Sequence, residues 1–203
     1  MKAYLIIGFN INLASYDFSN GVVVGIDKGA LIAYKKGIKL DYAIGDFDSI
    51  SADELKELSN YTNIIKLNPI KDVTDTEYAV MMFKDYDEIY LLGGIGGNRI
   101  DHFYANLKLF YKYPNLHLTD DYTHILQCDM NKTFFKDEYT YYSFFALEEV
   151  HDLCLEGFKY PLNNYSLSCD SSLGVSNEIS SNEAKVTFSK GRLLLIKTKK
   201  EEF

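Results

Sequence analysis

The sequence predicts an α/β fold: a mostly parallel sheet covered on both faces by helices as far as about residue 120, then an antiparallel β domain. Short apolar runs alternate with amphipathic stretches up to Leu118, and beyond Asp121 the helical period stops while strand-like segments continue. Three polar loops also stand where strands hand over to helices, which is where open α/β sheets bind ligands.

Ala3–Ile7, Val22–Ile26, Tyr42–Ile44, Asn63–Lys66, Ile89–Leu92 and Leu116–Leu118 read as strands. Several are apolar throughout, as buried parallel strands are. Between them Lys28–Lys36, Ala52–Ser59, Asp75–Tyr86 and Asp101–Tyr113 read as helices. Ser51-Ala52-Asp53-Glu54 and Thr74-Asp75-Thr76-Glu77 both fit the capping box, in which a hydroxyl and a carboxylate satisfy free backbone donors reciprocally. Ala79, Met82, Phe83 and Tyr86, and then Phe103, Leu107 and Phe110, repeat at helical spacing and predict core faces. In the second half Thr123–Cys128, Tyr139–Phe145, Lys185–Phe188 and Arg192–Lys197 read as strands, and Phe188-Ser189-Lys190-Gly191-Arg192 as a tight hairpin.

At 203 residues with 47% hydrophobic and 15% aromatic content, the chain can bury real cores. A net charge of -8 excludes a general nucleic-acid binder, which needs a basic face. No segment is apolar for long enough to span a bilayer, and Met1–Ile7 reads as a strand rather than a leader. Cys128, Cys154 and Cys169 form no Cys-x-x-Cys pair, so neither a disulfide framework nor a thiolate zinc site is expected, and a reducing cytoplasm is the natural setting.

The candidate chemistry lies in the three loops. In Gly45-Asp46-Phe47-Asp48-Ser49, carboxylates at i and i+2 after a strand can converge on one hard cation, although the same residues also make ordinary turns. Asp46, Asp48, Asp72 and Asp75 offer only oxygen ligands, which suits Mg²⁺ completed by water and substrate phosphates. Lys71-Asp72-Val73-Thr74-Asp75-Thr76-Glu77 follows, with Glu77 either a cap or a metal contact. Gly93-Gly94-Ile95-Gly96-Gly97-Asn98-Arg99-Ile100-Asp101-His102 matches neither the Rossmann nor the Walker A pattern, yet its glycines would let backbone approach a phosphate closely. Arg99 and Arg192 are the only arginines, and a planar fork beside a glycine loop suits phosphate oxygens. His102 either bonds a ligand or caps its helix.

With these motifs in place the chain resembles the thiamine pyrophosphokinase family over nearly its whole length. The resemblance rests on Gly45–Ser49, Lys71–Glu77 and Gly93–His102. In the second half, Gly157-Phe158-Lys159-Tyr160-Pro161-Leu162 and Gly174-Val175-Ser176-Asn177-Glu178 carry it. It implies an α/β catalytic, ATP- and magnesium-binding domain over residues 1–120 and a thiamine-binding, dimerising β-sandwich over 121–203. The implied activity transfers pyrophosphate from ATP to the hydroxyl of thiamine, in a cytoplasmic homodimer whose active sites lie between one subunit's catalytic domain and its partner's β domain. Carried over residue by residue, Asp46, Asp48 and Asp75 hold Mg²⁺. Asp27, Lys71, Gly96, Gly97, Arg99 and His102 face ATP, and Ser176 and Asn177 contact thiamine. Asp72, Asp75, Arg99 and Asp101 form the catalytic set, with Asp72 or Asp101 as the base. Three departures stand out: Lys28 where glycine is usual, Thr123 where asparagine is common, and no tryptophan for the thiamine ring, so that another aromatic or Leu173 would pack there. The alternative is a thiamine- or nucleotide-binding protein without catalysis on the same scaffold. An Asp-nucleophile phosphohydrolase fits less well, since Met1–Phe9 contains no Asp.

Overall fold

The computed structural model describes residues 1–8 and 11–200. The chain divides into two compact units, Met1–Asp121 and Tyr122–Phe203.

In the first unit, β1 (Lys2–Ile6), β2 (Gly21–Ile26), β3 (Tyr42–Gly45), β4 (Asn63–Lys66), β5 (Glu88–Leu92) and β6 (Leu116–Thr119) pair in parallel. Their order is β4-β3-β2-β1-β5-β6. The chain therefore steps outward from β1 to β4, returns to the other side of β1 with β5, and reverses direction there. Right-handed crossovers then require the helices before and after the reversal to cover opposite faces. Accordingly α1 (Lys28–Lys35) packs on β1, β2 and α2 (Ala52–Tyr61), while α3 (Asp75–Met82) packs on β2, β3 and α4 (Ile100–Leu109). One core joins Tyr4, Ile6 and Val23 from the strands to Ala30, Ala33 and Leu58 from the helices.

Helix ends follow local chemistry. The Ser51 hydroxyl accepts from the Glu54 N–H and the Glu54 carboxylate accepts from the Ser51 N–H, completing the first capping box. The second is only half made: Thr74 Oγ1 accepts from the Glu77 N–H at 3.1 Å, but the Glu77 carboxylate takes Lys112 Nζ at 2.6 Å. A cation in the turn just beyond α4 outcompetes a neutral backbone donor. Helix α3 also ends at Met82, four residues short of the apolar pattern's end, and leaves Met82 exposed. On α4 the buried side chains are Asn106 and Leu109, with Phe103 and Leu107 only half covered, so a polar residue holds the centre of that face.

The second unit is antiparallel. Its strands are β7 (Thr123–Cys128), β8 (Asn131–Phe135), β9 (Tyr141–Glu156), β10 (Leu162–Leu167), β11 (Glu183–Thr187) and β12 (Lys190–Thr198). The long β9 pairs with β12 through its first part and with β11 and β10 through its last. Its inward residues change phase, from Tyr142, Phe144 and Ala146 to Leu153 and Leu155, around Asp152, whose φ is 55°. The pattern ending at Phe145 covers only the first part of this strand because the bend interrupts the alternation.

The expected hairpin at Phe188–Arg192 is absent. Thr187 pairs with Cys154 and Lys190 with His151, so β11 and β12 run on in one direction along the same edge of β9. Gly191 marks a bulge in that edge, with φ 102° and register shifts on either side. A Cβ there would collide with the Glu149 carbonyl oxygen, so only glycine lets the two backbones approach. Strands β8 and β10 escape the sequence pattern because they are exposed edges without apolar alternation.

Candidate functional site

The carboxyl ends of β2, β3 and β4 open into a cavity of about 380 Å³. Its walls include Asp27, Asp46, Lys71, Asp72, Asp75 and His102. Asp27 follows β2 directly, with φ 47°, and its side chain makes no cap to α1. It instead accepts the Phe47 N–H, while its Oδ1 is buried without a hydrogen-bond partner. Burial pushes the Asp27 carboxyl up from 3.8 to about 6, and the charges of Asp75 and Asp46 add to the shift. A side chain at position 45 would strike this carboxylate, which gives the first glycine of Gly45–Ser49 a packing reason.

Asp75 opens α3. Lys71 Nζ lies 3.2 Å from its Oδ2 and also donates to the Asn68 carbonyl, while Asp75 Oδ1 is buried without a partner. Asp46 is half-buried, and its Oδ1 accepts the N–H of exposed Asp48 at 3.1 Å in the turn after β3. Two orphaned carboxylate oxygens and three mutually repelling acids fit a hard cation, because a cation would satisfy the lone pairs and cancel the repulsion. Among the described residues no group of three His, Cys, Asp or Glu side chains is arranged to hold a metal ion.

Arg99, Asp101 and His102 form a second cluster at the start of α4. Arg99 Nε and Nη2 fork onto Asp101 Oδ1 and Oδ2 at 3.1 and 2.9 Å, and Nη2 lies 2.6 Å from His102 Nε2. This guanidinium holds the Asp101 carboxyl down at about 2. The side chains of Arg99 and Asp101 are 67% and 64% exposed, so the pair is a weak lock that an incoming anion can open. Just upstream, Gly93, Gly94, Gly96 and Gly97 all have positive φ, between 69° and 84°, conformations that side chains resist. Of the loop and cluster, only His102 reaches the acidic cavity wall.

Ser176 and Asn177 belong to the second unit, where the loop after β10 closes the open edge of β9. Tyr142 and Asn177 exchange backbone hydrogen bonds at 2.8 and 3.1 Å, and the Phe144 N–H donates to the Gly174 carbonyl. Ser176 has φ 56° and its N–H donates to Ser143 Oγ. The Asn177 amide is 2% exposed: Oδ1 accepts from the Tyr160 and Glu178 N–H groups, and Nδ2 donates to the Tyr160 carbonyl. Both residues line a cavity of about 650 Å³ with Tyr160, Leu162, Leu173 and Val175. Tyr160, 58% exposed, is a candidate that sequence reasoning did not single out, although it sits inside the quoted Gly157–Leu162 motif.

The first unit is thus of the open, parallel α/β ligand-binding class, with acids, a glycine loop and an arginine at its strand ends. Residues 15–119 match the family model described as thiamin pyrophosphokinase, catalytic domain, and residues 123–193 match the one described as thiamin pyrophosphokinase, vitamin B1 binding domain. The thiamine pyrophosphokinase of Bacillus subtilis (strain 168) is 33% identical, over 92% of this chain and 92% of that protein. The crystal structure of the Bacillus subtilis enzyme superposes with a TM-score of 0.87 at 32% identity, covering 99% of this chain and 100% of that one. That of Geobacillus thermodenitrificans gives 0.87 at 28%, covering 100% and 99%. The yeast enzyme, at 15% identity and a TM-score of 0.77 over 97% and 86%, shares the fold. The chain belongs to the thiamine pyrophosphokinase family.

Proposed function

We propose that this protein transfers the terminal pyrophosphate of ATP to the hydroxyl of thiamine, giving thiamine diphosphate and AMP. The observation that carries this reading is the acidic cavity at the carboxyl ends of β2–β4, with two buried carboxylate oxygens unpartnered beside Lys71 and His102. A protein that merely bound ATP would gain nothing from crowding carboxylates against its phosphates, which disfavours the non-catalytic alternative. Asp46, Asp48 and Asp75 would hold Mg²⁺, which when bound neutralises phosphate charge. Lys71, Arg99, His102 and the backbone at Gly96 and Gly97 orient the triphosphate, beside Asp27.

The thiamine oxygen attacks the β-phosphorus in line with the bond to the AMP oxygen, which breaks as the new P–O bond forms. The hydroxyl proton passes to a carboxylate oxygen. Between the two candidates Asp72 is the better base, because the fork from Arg99 leaves the Asp101 carboxylate weakly basic. Asp101 instead keeps Arg99 aimed until phosphate oxygens replace it. In the second unit the Ser176 hydroxyl contacts thiamine, Tyr160 supplies the aromatic face that a tryptophan would otherwise give, and Asn177 holds the Tyr160 backbone in place. The reading includes a cytoplasmic homodimer with active sites shared between a catalytic unit and the partner's β unit. Among the described residues no helix is long and apolar enough to cross a membrane.

Incubation with ATP, Mg²⁺ and thiamine should produce AMP and thiamine diphosphate in equal amounts. Formation of ADP with thiamine monophosphate, or of AMP at the same rate without thiamine, would remove the assignment.

A further inference from the structure

One surface of the second unit already holds a cation against an aromatic ring. The Phe158–Ile179 bridge, and a hydrogen bond of 2.8 Å from the Lys159 N–H to the Glu178 carbonyl, fix residues 158–160 against 177–179. Asn177 pins the Tyr160 backbone from the same segment. Lys159 Nζ meets Glu178 Oε1 at 2.7 Å and lies 5.5 Å from the centre of the Tyr160 ring. An ammonium, a π face that attracts cations and a carboxylate that balances them therefore stand together. Lys159 and Tyr160 also line the cavity of about 650 Å³ that holds Ser176 and Asn177. The side chains of Lys159 and Glu178 are 50% and 35% exposed, so their ion pair is weak and exchangeable.

We propose that Tyr160 and Glu178 form a seat for a ring cation, which Lys159 fills in the free protein and the thiazolium of thiamine takes over. The seat rests on the thiamine reading above and adds to it the groups that select the charge of the substrate. A thiazolium carries a permanent positive charge spread over a flat ring, with no N–H on the charged nitrogen. It gives up little water on stacking against a tyrosine, whereas a lysine ammonium is a compact and strongly hydrated charge. Exchange therefore favours the ring on the Tyr160 face, and Lys159 returns to water on its flexible stem. The two members of the ion pair then act on thiamine in opposite senses. Glu178 attracts the thiazolium, and Lys159 competes with it. An ion pair with a purely structural role would make its two members act alike.

The test compares wild type with Glu178→Gln and Lys159→Met in the presence of Mg²⁺ and a non-hydrolysable ATP analogue. Calorimetry gives the dissociation constants of thiamine and of a neutral isostere in which carbon replaces the thiazolium nitrogen. Wild type should prefer thiamine. Glu178→Gln should cut that preference about fivefold, the scale of a surface charge pair, by weakening thiamine and leaving the isostere unchanged. Lys159→Met should raise the preference about threefold, the scale of an exposed cation–π contact. Thermal melting establishes that each variant is folded, and if Glu178→Gln is not, Lys159→Met decides alone. Equal affinity of wild type for the two ligands, a wild-type preference in a folded variant, or a preference that moves the same way in both would overturn the inference. Each of these leaves the thiamine reading standing. Failure of the folded wild type to bind either ligand would instead remove that reading, and the inference with it.

Discussion

Asp27→Asn removes a charge that the free protein holds at a cost. The Asp27 carboxyl titrates at about 6 in the fold against 3.8 for an ordinary aspartate, chiefly through burial and then through Asp75 and Asp46. A folded value above the unfolded one means that the folded state binds the proton more tightly. Stability is therefore lost as pH rises from about 4 to about 6 and stays low above that window. The full shift corresponds to roughly 3 kcal/mol at 1.36 kcal/mol per unit. Because the carboxylate is only half-buried, screening reduces this to about 1–2 kcal/mol. Asparagine keeps an acceptor for the Phe47 N–H and breaks no helix cap, since none exists. Metal-free protein in chelator, melted at intervals between pH 3.5 and 8, should show the variant equal to wild type at the acid end. Above pH 6 the variant should be more stable, by about 3–6 °C for a chain of this size. A difference that does not change with pH, or an asparagine variant less stable at pH 8, would refute the buried-charge account. Adding Mg²⁺ should narrow the gap, since a cation offsets the same repulsion.

Gly191→Ala should cost roughly 2–4 kcal/mol in chemical denaturation, because φ 102° and the Glu149 carbonyl both exclude a Cβ; a loss under about 0.5 kcal/mol would mean the bulge relaxes. Asn177→Ala should also cost roughly 2–4 kcal/mol, from three hydrogen bonds lost and the Tyr160 backbone groups left unpaired. An unchanged denaturation midpoint would return Asn177 to a role purely in ligand contact. Arg99→Lys keeps the charge but loses the fork, so KM for ATP should rise about tenfold with little change in melting temperature; an unaltered KM would place Arg99 outside the phosphate site.

The parallel half of the fold is readable because each of its signals is local. Apolar runs such as Ile89–Leu92 are buried on both faces, and Ser51 and Thr74 mark their helices through hydroxyls that cap the nearby backbone. Thr74–Glu77 shows the limit of that logic. Its second half depends on Lys112, 35 residues away, which no spacing rule anticipates. In the antiparallel half the decisive events are also distant. Gly191 looks like a hairpin glycine until Cys154 and His151 are seen to pair with Thr187 and Lys190 on one edge.

The candidate site divides along the same line. Asp46, Asp48, Lys71, Asp75 and Arg99 stand out because carboxylates, cations and glycines at strand ends form contiguous motifs. Asn106 does not, since an asparagine on a helix carries no sequence signal for what it faces, and Asn177 enters only through the resemblance carried by Gly174–Glu178. Asn177 closes on the Tyr160 backbone and thereby fixes the wall on which an exposed tyrosine stands. Asn106 sits on the helical face where Phe103 and Leu107 predict core, and it displaces the centre of burial away from them. A polar residue at the centre of a buried helical face is a local conflict between sequence and fold. Such conflicts concentrate where function, rather than stability, selects the residue.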